Sequence, residues 1–321
     1  YIYFGYWPQT LERDETVVAK LNEMAGTPPL PRDKENPYNW ESHEGTTYMW
    51  QKIVIYNGTK YLGVQMNDYR ASGVYSLRSY IMKNGYFTYE VYWFKYEPIK
   101  WKILTTSGNS AYIMSDIALD SFSIQPDRKE ENRDGLYASY NNSTGVPDGT
   151  YANNWEYCFL RQWLNETFYN EVFNKLQKEI IQTTHLDNTA RSSNPNDYPK
   201  YYGYGEKAGK NKFADQCKNT DDKIFLLSLR DITTTAYGFN KDVLAKDPAR
   251  NLQATDFAKL HGAPMNTNDK KYVTWYTRSP APANGNQGYA TFVLDRHAKG
   301  AIDSIDLVPN GGVVPALWIT L

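Results

Sequence analysis

Cysteine and histidine are scarce in this 321-residue sequence: there are two cysteines, Cys158 and Cys217, and four histidines, His43, His185, His261 and His297. So few cysteines exclude a small disulfide-dense scaffold. They leave three readings, with one structural disulfide first, two separate thiols second, and redox or metal chemistry third. A bridge closing so long a loop would contribute about 4 kcal/mol in the chain-entropy picture. The histidines stand apart, without HExxH or CxxC-type spacing, so no zinc site and no other cofactor is expected. No apolar run is long enough to cross a bilayer, and residues 1–30 lack the basic start, apolar stretch and cleavage site of a signal peptide. An exported protein trimmed of its signal reads the same way, as the unusual start at Tyr1 implies. An excess of one charge is missing as well: 35 basic residues face 36 acidic ones. No global field therefore draws the chain to nucleic acid or anionic lipid, and neither nucleic-acid binding nor membrane insertion is expected. GxSxG, P-loop and GxGxxG signatures are also absent.

What is present is aromatic: 15% of residues, 28 of them tyrosine, far from the composition of a disordered chain. The opening YIYFGYWPQT reads as a strand stopped by Pro8, and residues 14–25 carry helical spacing at Val17, Val18, Leu21 and Met24. Asn57-Gly58 between two β-rich runs predicts a tight hairpin. Residues 86–96 and 99–105 read as strands broken at Glu97-Pro98, followed by a turn and the strand AYIMS. Residues 124–154 give almost no periodic signal and read as a long polar loop. Asn154 is placed to cap a helix with Leu160, Trp163 and Leu164 on one face, and Asn174 with Gln177 forms a capping-box pattern for a second helix. KIFLLSL reads as a buried strand, residues 256–260 as a short helix, and the tail as strands YVTWYTRS, GYATFVLD, AIDSIDLV and VVPALWITL. The last strand is expected inside the fold, pairing with a distant segment, the N-terminal strand being the first choice.

Six ordered fragments carry a family resemblance: FGYWPQ (4–9), EPIKWKIL (97–104), WEYCFLRQWLNETF (155–168), DKIFLLS (222–228), TRSP (277–280) and VVPALWI (313–319). Together they resemble domain of unknown function 6273, a family of exported and surface proteins of gut-type bacteria. Val314 stands where that family usually has arginine, and TRSP replaces the commoner LRSP. The resemblance implies one domain over 1–321, with a core of 1–10 plus 97–321 and an elaboration over 11–96. By analogy to formylglycine-generating-enzyme-like domains it implies an α+β, C-type-lectin-like core of antiparallel strands, two tandem helices, long loops and an N-terminal β-hairpin insertion. It also implies an extracellular or cell-wall-associated location.

The candidate sites divide by what each spacing can do. Arg161 and Asn165 sit one helical turn apart in LRQWLN and can point into one cleft; the alternative, that they satisfy nearby backbone while Trp163 and Leu164 pack the core, is preferred. Gln125-Pro126-Asp127 matches a sugar-specifying tripeptide of calcium lectins, but is read as a turn before the first core helix. Glu130, Asn132, Asp134 and Gly135 resemble a calcium loop, yet Asn141 replaces the bidentate Glu, so a solvated loop is expected. Asp116 with Asp120, and Glu90 with Glu97, are read as turn and surface residues rather than a glycosidase pair. The ligand-binding set is Trp275, Tyr276, Arg278, Asn284, Asn286 and Tyr289, where aromatic faces beside amides around a Gly/Pro/Asn-rich loop suit sugars or protein surfaces. The functional expectation is a non-catalytic surface module for a glycan or protein ligand. An enzyme, polysaccharide-active or formylglycine-generating-like, is the first alternative and a structural spacer the second.

Overall fold

The computed structural model describes residues 1–30, 33, 35–44, 48–68, 76–133, 136–188, 217–242, 245–266, 270–281, 289–294, 301–305 and 310–321. In chain order, β1 (Ile2–Leu11) and α1 (Glu15–Ala25) lead to β2 (Glu41–Glu44), β3 (Tyr48–Tyr56), β4 (Thr59–Asp68), α2 (Ser76–Lys83), β5 (Val91–Ser107) and β6 (Ser110–Ser115). Next come β7 (Asp120–Phe122), β8 (Arg128–Arg133) and β9 (Leu136–Asn141). A helical stretch follows: α3 (Phe159–Trp163), a π turn (Leu164–Phe168), α4 (Tyr169–Val172) and α5 (Lys175–Ile180). The rest is β10 (Thr184–Leu186), β11 (Thr220–Asp222), β12 (Phe225–Leu226), α6 (Asp256–Leu260), β13 (Trp275–Ala281), β14 (Tyr289–Leu294), β15 (Ala301–Ile305), β16 (Gly311–Val313) and β17 (Pro315–Thr320). The class is α+β, with antiparallel sheets dominant and the helices short.

Local signals act where expected. Asn57 and Gly58 both take positive φ, 49° and 76°, and close β3 onto β4 with Tyr56 opposite Thr59. The Asp14 side chain caps α1 by accepting from Thr16 and Val17, and Gly26 ends the helix at φ 68°. The Asn174–Gln177 capping box forms on α5. Asn154 caps a short 3-10 turn, Trp155–Tyr157, and α3 begins only after Cys158.

Both prolines expected to break strands lie inside them. Pro8 is tolerated because β1 pairs with β5 alone and its register shifts between Pro8 and Thr10, an edge strand at a bulge. Pro98 falls where β5 is served only by β1: β4 pairs with residues 91–95 and β6 with residues 101–107, leaving 96–100 without either. The polar stretch read as a loop instead contains the hairpin of β8 and β9, Arg128 opposite Asn141. Its ladder is made by backbone groups, so it needed no apolar alternation. KIFLLSL contributes only two strand residues, although Ile224, Leu227 and Leu229 are as buried as Phe225 and Leu226.

The larger sheet has the order β12-β17-β6-β5-β4-β3-β2, with β1 added on β5. The last strand does not pair with the first. The tight turn after Ser107 lays β6 against β5, and β6 then takes β17, with Leu317 opposite Ile113. The smaller sheet, β15-β14-β13-β16-β7, includes one parallel contact, Trp275 with Gly312. Val314 is fully buried at the step from β16 to β17, where the chain leaves one sheet for the other. One large apolar cluster links the sheets, the helical stretch and α6, and a second, smaller one seats α1 on the hairpin through Leu21, Val54, Tyr61 and Trp93.

Gly63 lies under the Trp93 indole, where an added Cβ would come within 2.6 Å of the ring. Gly63→Ala is expected to lower unfolding free energy by about 1–3 kcal/mol, the usual scale of overpacking, measured by urea denaturation.

Candidate polar cleft over the helical stretch

A depression of about 600 Å³ lies over α3, between the segment after β7 and the β11–β12 turn. Its volume falls within the roughly 300–1,000 Å³ of small-ligand pockets. The floor is fixed by residues whose polar groups are already spent. Asn165 donates to the Arg161 and Ile224 carbonyls at 3.0 and 2.8 Å and accepts from the amides of Lys223 and Ile224 at 2.8 and 3.2 Å. Gln125 accepts from the Phe159 amide at 2.8 Å and donates to the Asp127 carbonyl and Ser143 Oγ, tying the QPD tripeptide to the start of α3.

Arg161 reaches the cleft from the same helix. Its Nε donates to Asp222 Oδ1 at 2.7 Å and its Nη1 to the Glu156 carbonyl at 2.9 Å. Asp222 is buried, and its Oδ2 takes two further bonds at 2.9 Å, from Trp155 Nε1 and Thr220 Oγ1. Both readings of LRQWLN are therefore partly realised: Arg161 and Asn165 face one cleft, and both also brace its walls. The lining carries five carboxylates, Asp127, Glu156, Glu166, Asp221 and Asp222, against two cations, Arg161 and Lys223. Lys223 is itself engaged, 3.1 Å from the Tyr169 hydroxyl and 4.3 Å from the centre of that ring. Glu156 Oε2 is buried and has no hydrogen-bond partner. The cleft thus offers acceptors and a surplus of negative charge, with Tyr157 and Phe159 as half-exposed aromatic surface.

Of the expected ligand-binding set, the three residues whose side chains are described, Trp275, Tyr276 and Arg278, lie away from this cleft and are interior. Trp275 and Tyr276 are completely buried, and the Trp275 indole donates to the Arg250 carbonyl at 3.0 Å. Arg278 is buried over the Phe225 ring, donating to Asn188 Oδ1, the Leu226 carbonyl and Asp231 Oδ2. Trp275 thus ties β13 to Arg250 and Arg278 ties it to β12 and Asp231, and the three residues present no aromatic or guanidinium face to solvent. Tyr289 begins β14, while Asn284 and Asn286 lie outside the described residues, as do Asp134, Gly135 and His297.

Cys158 and Cys217 are both buried and are not bridged, contrary to the disulfide expected first. Cys158 Sγ lies 3.5 Å from the Trp155 carbonyl, and burial pushes its thiol up to about 12. Asp116 pairs with Lys100 at 2.8 Å near the surface. Asp120, read from sequence as a turn or surface residue, is instead buried against His261. Among the described residues no three or more His, Cys, Asp or Glu side chains group as metal ligands, and no helix is long and apolar enough to cross a membrane.

The family model described as a domain of unknown function, DUF6273, matches residues 109–321. The chain belongs to this family. No curated protein and no solved structure matches it. In this DUF6273 member the whole polar cleft falls inside the matched region. FGYWPQ and EPIKWKIL, two fragments of the resemblance, fall before it.

Arg161→Ala is expected to cost about 2–3 kcal/mol, because it strips a buried carboxylate of its charged donor, and urea denaturation measures this. The unbridged thiols make a second expectation: the native protein resists dithionitrobenzoate, and both cysteines react after unfolding without reductant. A disulfide would leave both silent in either state.

Proposed function

We propose that this protein is a non-catalytic binding module whose polar cleft takes a neutral, hydroxyl-rich glycan, and that it works outside the cell or at the cell wall. The observation that carries the reading is the lining itself. Hydroxyl groups can donate to Glu156 Oε2 and to the rim carboxylates, and a sugar face can lie on Tyr157 or Phe159. The surplus of carboxylates disfavours phosphorylated or sulfated ligands by like-charge repulsion. The fixed floor supports binding because ordering costs are met in the free protein. Extracellular location and a C-type-lectin-like architecture are part of the same proposal. They draw support from the family resemblance and from strands of both chain ends sharing one sheet. A buried Cys158 thiol pushed up to about 12 offers no nucleophile for formylglycine-type chemistry.

A glycan array followed by calorimetry tests the reading. Neutral oligosaccharides should bind in preference to sulfated ones, and Asp127→Ala and Gln162→Ala, both exposed on the rim, should weaken binding about tenfold each. Preference for sulfated glycans, or affinity untouched by both substitutions, would refute it.

A further inference from the structure

A second, much smaller pocket of about 50 Å³ opens where β1, β4, β5, β7, α4 and α6 meet, apart from the cleft. At its base is a dyad that sequence spacing did not reveal: His261, just after α6, and Asp120, on β7, whose Nδ1 and Oδ1 are 2.5 Å apart. Asp120 Oδ1 also accepts from the Ser121 amide at 2.7 Å. An ionised carboxylate can only accept, so Nδ1 carries the ring proton and Nε2 presents a lone pair when the ring is neutral. That Nε2 is buried, has no hydrogen-bond partner, and belongs to a side chain only 3% exposed.

The surrounding structure holds the dyad rigidly. Asn310 Nδ2 donates to the carbonyls of both His261 and Ser121, and the Leu119 carbonyl beside Asp120 accepts from Trp7 Nε1 and Thr255 Oγ1. Phe257 and Phe122 flank the imidazole, with centroids 4.3 and 5.8 Å away. Trp7, Trp163 and Tyr96 complete an aromatic lining, and Glu171 adds a second carboxylate to it.

We propose that this pocket binds a small ammonium group of an amine ligand, with His261 Nε2 as its acceptor, Asp120 and Glu171 as counter-charges, and aromatic rings as walls. Each feature narrows the class. The acceptor and the two carboxylates exclude an anion. The volume admits one head group and no whole sugar ring. Aromatic walls favour a cation over a neutral hydroxyl, because ring faces attract positive charge. The molecule already makes this contact at one ring, with Lys60 Nζ 3.9 Å from the centre of Tyr96. Burial, with Asp120 adding to it, holds the Glu171 carboxyl above its ordinary range, and Lys60 opposes this only in part. The geometry is that of an acidic, aromatic site whose neighbouring ammonium, Lys60 Nζ, is not part of its lining.

The test is titration of the full chain with methylammonium chloride, following the His261 side-chain nitrogen resonances, with sodium chloride and methanol as parallel probes. A saturable shift with methylammonium, absent with the other two, is expected. Glu171→Gln should weaken it about tenfold, the scale of one charge-assisted contact. Lys60→Gln removes the competing ammonium and should bind at least as tightly as wild type. Equal responses to sodium chloride or methanol, a Glu171→Gln titration matching wild type, or weakened binding in Lys60→Gln would each overturn the proposal. Glycan binding at the cleft can succeed or fail independently, since the two sites share no lining residue.

Discussion

Six buried indoles, each obliged to spend its N–H, hold this fold in register. Trp7 donates to the Leu119 carbonyl, Trp40 to Gly26, Trp101 to Phe4, Trp275 to Arg250, Trp93 to Asn22 Oδ1 and Trp155 to Asp222 Oδ2. Burying an indole costs least where its one donor finds an acceptor, so each of these six side chains fixes both a packing position and a chain crossing. Trp7 shows the effect most fully: its ring meets Trp163, Phe168 and Phe257, while its N–H reaches a residue 112 positions away. The result joins β1, the helical stretch, α6 and the entrance to β7 at one point.

That junction places both candidate sites. On one side of the helical stretch, Arg161, Asn165 and Asp222 consume their polar capacity in bracing one another, so the cleft above them has a floor that does not need to reorganise. On the other side, Trp7 and Trp163 help wall the pocket in which His261 meets Asp120. The π turn between α3 and α4 lies between them, with Leu164 and Phe168 turned into the core. Glu166 and Thr167 of that turn line the cleft and the small pocket respectively. π turns occur often at functional sites, because the extra residue re-aims its neighbours.

Electrostatics separate the two sites in kind. The cleft is open and acidic, suited to many weak donors. The small pocket is tighter and concentrates two carboxylates and an imidazole lone pair within aromatic surroundings, where charge interactions are screened less by solvent.

Signals of short range were legible in the sequence: the Asn57-Gly58 turn, the Asp14 cap, the Asn174–Gln177 box, the tail strands and the α+β class all follow from neighbours in the chain. So did the pairing of Arg161 with Asn165 on one helix face, since one turn of helix brings them together. What depended on distant partners was not. Pro8 and Pro98 became strand residues because of which edges happened to be unpaired. Trp275, Tyr276 and Arg278 carry the composition of a binding surface, yet they went inside because β13 lies between β14 and β16. Asp120 and His261 are 141 residues apart, and only the crossing of β7 with the end of α6 made them a pair. Local chain stereochemistry is written in adjacent residues, whereas burial and charge pairing are properties of the neighbours that folding supplies.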